Sequence, residues 1–373
     1  MTSFNDPPTV LIAALSGRAL AAAARRAGYV PLVADLFDDL DTRAMAGAST
    51  LVAGSLARGF AHDALLDSLD RLATGSAPEG VVCGSGFEDR PKLLRAVAAR
   101  HTLLGNTAAT VARVKDPLAL AALCKRLDIP HPTVRRAPED RGSWLRKRAG
   151  ASGGGHVEAA RLGQTAKPGE YVQRRVEGTA VSALFLADGR HALMLGLSRQ
   201  WADPTQTRPY RYGGAVRPAA LSETRAVEIA GIIGRLVPAT GLVGLNSADF
   251  MVRTDGLDLI EINPRPCATI DIFADDEGQL FRLHVDACLG HLPDVAPTFP
   301  PAAAACVIYA PRPLLVSAEM AWPDWSADRQ PSGRVREGAP LCTVLADETD
   351  ADRAERLVRA RATTILSLIE DTP

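Results

Sequence analysis

The chain has 373 residues, of which 47% are hydrophobic and 23% charged, and a formal charge of −1 at pH 7. That balance fits about two to four ordinary globular domains and gives no support for a nucleic acid or a membrane surface as partner. Met1 to Pro8 lack a basic-then-apolar signal pattern, and apolar stretches such as Ala19–Ala24 are broken by arginines well short of a ~20-residue span, so a cytoplasmic protein is expected.

From residue 9 to about 108, strand and helix patterns alternate. Val10–Ala14, Val30–Ala34, Leu51–Ala53, Val81–Cys83 and Thr102–Gly105 read as strands, with helices at Arg18–Ala27, Phe60–Leu72 and Pro91–Ala99. The alternation predicts an open parallel sheet with helices on both faces, whose ligands sit beyond the carboxyl ends of its strands. Ser16-Gly17-Arg18 and Gly84-Ser85-Gly86-Phe87-Glu88 fall there. Neither is a Gly-x-Gly-x-x-Gly fingerprint, which argues against a dinucleotide site. They read either as the lining of a substrate pocket, with Arg18 as an anion contact and Glu88 as another contact, or as tight turns that need glycine. The cysteines (Cys83, Cys124, Cys267, Cys288, Cys306, Cys342) are scattered singly, which predicts buried thiols rather than disulfides or zinc.

A helix over Leu118–Leu127 stops before Ile129-Pro130, where proline forbids continuation. Short strands follow at Trp144–Lys147, Val157–Ala160, Tyr171–Arg175, Ala180–Leu186 and His191–Leu197. Between the first two lies Arg148-Ala149-Gly150-Ala151-Ser152-Gly153-Gly154-Gly155-His156. Three consecutive glycines after a strand ending in Lys147 let backbone N–H groups approach an oxyanion, with the lysine ammonium beside them. The same run reads more plainly as a flexible loop, and it lacks the Gly-Lys-Ser/Thr of a P-loop. Residues 222–240 read as a helix capped by Ser222. Another helix is expected at Glu277–Leu289, then a proline-rich link Leu292–Pro301, strand-like runs at Ala304–Tyr309 and Leu341–Leu345, and a closing helix over Asp352–Ile369.

The most informative segment runs from Ala248 to Arg265. Apolar runs flank Thr254-Asp255-Gly256, which predicts a hairpin whose three-residue loop uses Gly256 at positive φ. Arg253 then faces Leu257, Asp249 lies opposite Glu261, and Asn263 follows on the same face. Ile260, Ile262 and Phe250 form the opposite, core face. Two carboxylates so paired repel each other, and an all-oxygen set of Asp249, Glu261 and Asn263 suits Mg2+ or Mn2+. A surface hairpin with its charges in water is the plainer alternative. A two-residue Asp-Gly turn would pair Asp249 with Ile262 and dismantle the set.

A lysine strand, a Gly-rich loop, a Gln-x-x-Val-x-Gly segment from Gln173 to Gly178 and an Asp…Glu-Ile-Asn-Pro-Arg hairpin together resemble the ATP-grasp superfamily. The resemblance covers residues 1–290 and is most specific at Glu261-Ile262-Asn263-Pro264-Arg265. It implies a mixed α/β and α+β chain: an open parallel sheet domain preceding the grasp (1–108), a small lobe (109–177), a catalytic lobe (178–292), and a small, mostly β, barrel-like C-terminal portion with a final helix (293–373). It also implies ATP and Mg2+ (or Mn2+) as cofactors. Lys147 and Gly153, Gly154 and Gly155 would hold phosphates, with Lys115 as a second phosphate lysine. Gln173, Arg174, Arg175 and Val176 would form the interlobe hinge on adenine. Asp249, Glu261 and Asn263 would ligate metal, and Arg265, with Lys147, would act catalytically on the transferred phosphoryl group. Where many members place a ribose-binding glutamate, this chain has Thr179-Ala180-Val181, with Glu177 a weak substitute.

The implied activity is a Mg-ATP-dependent carboxylate–amine (or thiol) ligase that forms an acyl phosphate and releases ADP and phosphate. Its partners would be small carboxylates and amines, and a homodimer is admitted. Substrate contacts are expected from Arg18, Glu88, Arg199 in Arg199-Gln200-Trp201, and Tyr212 in Pro209-Tyr210-Arg211-Tyr212-Gly213-Gly214. The whole-chain pattern is similar to a set of predicted ATP-grasp carboligases, related to biotin carboxylase, from archaea and methylotrophic bacteria. That similarity implies a one-carbon carrier cofactor as substrate. Biotin-carboxylase-like carboxylation and a non-catalytic cofactor- or nucleotide-binding protein are the alternatives.

Overall fold

In the computed structural model, residues 7–275, 277–299 and 301–371 are described; most of the Met1 to Pro8 segment and Pro300 of the expected link lie outside them. The first sheet is four parallel strands in the order Ala48–Leu51, Val30–Asp35, Thr9–Ala13, Val81–Cys83. Alternate residues of these strands enter two different cores, as a period of two requires. Val10, Ile12 and Val33 pack with Leu20, Ala21 and Ala24 of the helix Arg18–Arg26. Leu11, Ala13 and Leu32 pack with Leu65, Leu69, Leu94 and Val97 of the helices His62–Ala73 and Pro91–Arg100. The expected strand at Thr102–Gly105 contributes only an isolated bridge, Val81 with Leu103.

Asp116 caps the helix Pro117–Arg126 by accepting hydrogen bonds from Leu118 and Ala119 N–H, which fixes where the next unit begins. A small antiparallel sheet follows in the order Val134–Arg135, Glu170–Arg174, Trp144–Arg148, Glu158–Ala160. The largest sheet has eight strands, ordered Leu257–Asn263, Val243–Val252, Thr179–Asp188, Ala192–Ala202, Tyr212–Arg217, Ala302–Tyr309, Pro340–Glu348 and Ser326–Ala327. It runs straight across the expected boundary at 292, because Gly214 pairs with Cys306. The C-terminal portion therefore extends this sheet instead of closing a barrel of its own. The helix Ala351–Asp371 covers it with Ala354, Val358 and Ile365.

Strand parity on the large sheet decides where a site can form. Val181, Ala183, Phe185, Ala248, Phe250 and Val252 face the helix Glu223–Thr240. Leu184, Leu186 and Leu245 face the other way and share a core with the first sheet and with the helix Gln279–Cys288. Along that second face the side chains turn polar, at Ser182, Ser247 and Asp249. No helix among the described residues is long and apolar enough to cross a membrane, and all six cysteines are free.

Candidate active site

Asp249 pairs with Glu261 and Ser247 with Asn263, which puts the two acids and the amide on the face turned toward the first sheet. The chain reaches this register by a different route from the expected one. The ladder ends at Val252 opposite Leu257, and Arg253 N–H donates to the Gly256 carbonyl (2.8 Å), so the tip is tighter than a three-residue loop. Gly256 does not adopt a left-handed φ. A bulge at Ile260, between the Phe250–Leu259 and Asp249–Glu261 pairs, restores the missing residue. Ile260 is consequently half-buried and leaves the core face to Leu257, Leu259 and Ile262.

The acids are held by neutral and cationic donors. Ser182 Oγ donates to Asp249 Oδ1 (2.6 Å) and Asn263 Nδ2 to Asp249 Oδ2 (2.9 Å). Lys115, at the end of the helix Ala108–Lys115, donates to the Ile262 carbonyl (3.1 Å) and Asn263 Oδ1 (3.3 Å), and lies 3.8 Å from Glu261. Burial and the facing Glu261 push the Asp249 carboxyl up to about 6. Burial pulls Glu261 upward too, but Lys115, Lys147, His156 and Arg265 together hold it below its ordinary value. No group of three His, Cys, Asp or Glu side chains suited to a metal occurs among the described residues. A divalent ion here would be held by two carboxylates and the Asn263 amide oxygen, completed by phosphate and water oxygens, as magnesium prefers. The repelling buried acids fit such a charge.

Lys147 lies opposite Tyr171 in the small sheet and donates from Nζ to Gln173 Oε1 (2.7 Å). Burial lowers its pKa, while Glu261 and Asp249 work against that shift and Lys115 adds to it, so this ammonium belongs to the same electrostatic cluster. The glycine loop is seated against the Tyr210–Tyr212 segment: Tyr212 N–H donates to the Gly153 carbonyl (2.9 Å). At Gly154, with φ +69°, an added Cβ would lie 1.9 Å from the Tyr210 carbonyl oxygen. Both the backbone conformation and the close approach require glycine there. Gly154→Ala is expected to unseat the loop and raise the KM for ATP by roughly tenfold or more, read from steady-state phosphate release.

The other expected residues divide sharply. Arg265 and Glu88 come together in a buried ion pair (2.7 Å), and the second Glu88 oxygen accepts from Gly86 and Phe87 N–H. Burial disfavours both charges, yet the pairing leaves Glu88 below and Arg265 above its ordinary value. Burial raises the Tyr212 phenol strongly, and Cys267, Tyr309 and Asp249 add to the shift. Within the hinge, Arg174 is bound to Asp140 (2.6 Å) and lies over the Trp144 ring, and Arg175 N–H donates to the Ser143 carbonyl (2.9 Å). Gln173 points its side chain at Lys147, and Val176 lies on the link to the large sheet.

Arg18 is not free to meet a substrate. It is 4% exposed and held by Asp271 and Asp328. Arg199 is bound to Asp352 and Glu355 of the last helix. It pairs with Val181, on the sheet face opposite Ser182 and Asp249. Sequence reasoning missed Ser182, which only the Ser182–Asp249 strand pairing reveals, and His156, which faces Glu261, Lys147, Arg148 and Lys115. Burial lowers the His156 ring to about 4.

Residues 115–269 match the model of an ATP-grasp domain family. No curated protein matches the sequence. In fold the chain is similar to the biotin carboxylase domain of Hydrogenobacter thermophilus 2-oxoglutarate carboxylase, solved as a dimer with Mg-ADP, ADP and bicarbonate. That likeness has a TM-score of 0.72 and 13% identity, and covers 95% of this chain and 89% of that one. Campylobacter jejuni biotin carboxylase, solved in a β-γ-ATP complex, gives 0.69 and 12%, covering 94% and 90%. N5-carboxyaminoimidazole ribonucleotide synthetase from Thermus thermophilus gives 0.66 and 19%, covering 98% and 99%. Residues 115–269 thus match an ATP-grasp domain, and the chain shares its fold with these structures over nearly its whole length.

Proposed function

We propose that this ATP-grasp enzyme activates a carboxylate with Mg-ATP and passes the acyl group to an amine or thiol, releasing ADP and phosphate. The observation that carries this reading is the convergence of Lys115, Lys147 and Arg265 around the Asp249, Glu261 and Asn263 oxygens. A substrate carboxylate oxygen attacks the γ-phosphorus and the bond to the ADP oxygen breaks, leaving an acyl phosphate. The amine nitrogen then attacks the acyl carbon, the carbon–oxygen bond to phosphate breaks, and the amine proton leaves with phosphate or water. The obstacle in the first step is bringing an anion to a polyanion. Lys147, steadied by Gln173, and Lys115 would meet the phosphate charge, and Arg265, anchored by Glu88, the transferred phosphoryl oxygens. Magnesium, when bound by Asp249, Glu261 and Asn263, supplies further fixed positive charge on the phosphates.

Phosphate release from Mg-ATP is the test, measured with a panel of carboxylates and amines, with bicarbonate, and with neither. Dependence on a carboxylate and an amine supports ligation. Dependence on bicarbonate supports the second reading, carboxylation through carboxyphosphate, which the bicarbonate-bound structural relative favours. Tight nucleotide binding without turnover under any condition points to a binding protein that kept the fold. A one-carbon carrier with a carboxylate tail is the narrowest form of the proposal and belongs in the panel. A cytoplasmic setting and a homodimer, as in the Hydrogenobacter domain structure, complete the reading; light scattering reads the latter.

The metal proposal has a pH signature. Asp249 must lose its proton to ligate, and burial beside Glu261 holds it near 6. Mn2+ affinity, measured by calorimetry, is therefore expected to be nearly flat above pH 7 and to fall by about fivefold between pH 6 and 5. An affinity independent of pH across that window would remove Asp249 from the ligand set.

A further inference from the structure

His156 closes the glycine loop, and its Nδ1 is buried with no hydrogen-bond partner. An imidazole so placed is costly, because buried polar atoms in folded proteins are almost always paired. Its surroundings are not apolar packing alone: the charged groups that act on it are Glu261 of the hairpin, Lys147 and Arg148 of the small sheet, and Lys115. Three cations and one acid form an anion-binding environment, not a partner for the ring. The loop closes a turn in which Val157 N–H donates to the Gly154 carbonyl (3.1 Å), and it is tied to the neighbouring segment by Tyr212 N–H, which donates to the Gly153 carbonyl (2.9 Å). The ring is thus carried by a seated loop and shares the cluster of the hairpin acid.

We infer that His156 is a direct contact to the terminal phosphoryl group of the nucleotide, donating a ring N–H to one of its oxygens. The inference rests on the nucleotide-binding reading above and deepens it. It names a side chain, beyond the loop backbone, that distinguishes a triphosphate from a diphosphate. Glu261, Lys147, Arg148 and Lys115 all act on the ring, so His156 shares the charge cluster that the functional proposal gives to the phosphates, with the hairpin acid among its neighbours. Lys147 and Lys115 hold the remaining phosphates.

The test compares ADP with the non-hydrolysable triphosphate AMP-PNP, both with Mg2+, by calorimetry on the full chain and its variants His156→Ala and His156→Gln. The expected result is a loss of AMP-PNP affinity in His156→Ala of roughly tenfold or more, the usual range for a hydrogen bond to a charged group, with ADP affinity unchanged. His156→Gln, whose amide keeps an N–H donor, should recover part of that loss. Equal losses for both nucleotides would overturn the inference, since a misplaced loop does not tell three phosphates from two. Unchanged affinity for both in both variants would overturn it as well, leaving nucleotide binding intact. If the unaltered protein binds neither nucleotide, the functional proposal falls and this contact falls with it.

Discussion

Glu261→Gln is expected to lower ATP-dependent phosphate release by about 10²–10³-fold, the loss seen when one preorganised charge is removed from a reacting anion. The fold should survive. The substitution keeps the side-chain volume, Glu261 is 31% exposed, and Lys115 keeps its bonds to the Ile262 carbonyl and Asn263 Oδ1. Loss of the Glu261 charge also relieves Asp249, whose carboxyl that charge partly raises. Far-UV circular dichroism and urea unfolding should therefore match the parent within about 1 kcal/mol, the scale of surface substitutions. The contrast between intact stability and lost turnover separates this outcome from a damaged hairpin. Ordinary turnover in Glu261→Gln would refute the metal assignment, and equal loss of stability and turnover would make the residue structural.

The acid pair is legible in the sequence because strand parity is strict. One residue of slip would send every side chain to the other face, and Phe250 and Ile262 must be buried. Two local details are not legible, and they cancel. The turn closes one residue tighter than its Thr-Asp-Gly spelling suggests, and Ile260 is spent in a bulge. Bulges answer to the twist of the paired strand, which a single strand's pattern does not carry. The alternation of the first sheet is equally plain, since buried parallel strands are unbroken apolar runs.

Long-range polar pairing is what the sequence hides. Gln173 belongs to the expected hinge, yet its side chain serves Lys147, because the small sheet sets their two strands side by side. Arg199 and Tyr212 sit near aromatic and glycine residues that look alike in sequence. Strand parity then sends Arg199 to the last helix, whereas Tyr212 is bonded to the glycine loop and feels the Asp249 charge. Arg18 sits beyond a strand's carboxyl end, where ligands of parallel sheets bind, but the chain itself fills that place. Ser16 Oγ donates to Asp328 (3.3 Å), Leu40 N–H to the Arg329 carbonyl (3.0 Å), and Arg329 N–H to Asp41 (2.9 Å). A loop 310 residues away in sequence thus occupies the crevice, and no local pattern announces it.

Replacing Arg18 with methionine is accordingly expected to cost about 3–5 kcal/mol of unfolding free energy, the range for removing one partner of a buried ion pair. Arg18 donates two bonds to Asp271 (2.5 and 2.7 Å) and two to Asp328 (both 3.0 Å), so its loss leaves two carboxylates facing one another without a cation. It also releases Asp328 from the left-handed backbone (φ 54°) in which the pairing helps hold it. Lysine at position 18 should restore only part of the loss, because an ammonium lacks the fork that grips two carboxylates at once. The pH dependence has a definite sign. Burial raises the Asp328 carboxyl, but Arg18 outweighs it and holds the group below its ordinary value. A depressed acid stabilises the folded state above its unfolded value near 4, and that contribution disappears as pH falls through the folded value. Urea unfolding should therefore show a wide gap between Arg18→Met and the parent at pH 7, and a narrower one as the pH falls below about 4. A variant as stable as the parent at both pH values, but with a raised KM for a carboxylate substrate, would return Arg18 to the substrate pocket and place the crevice back in use.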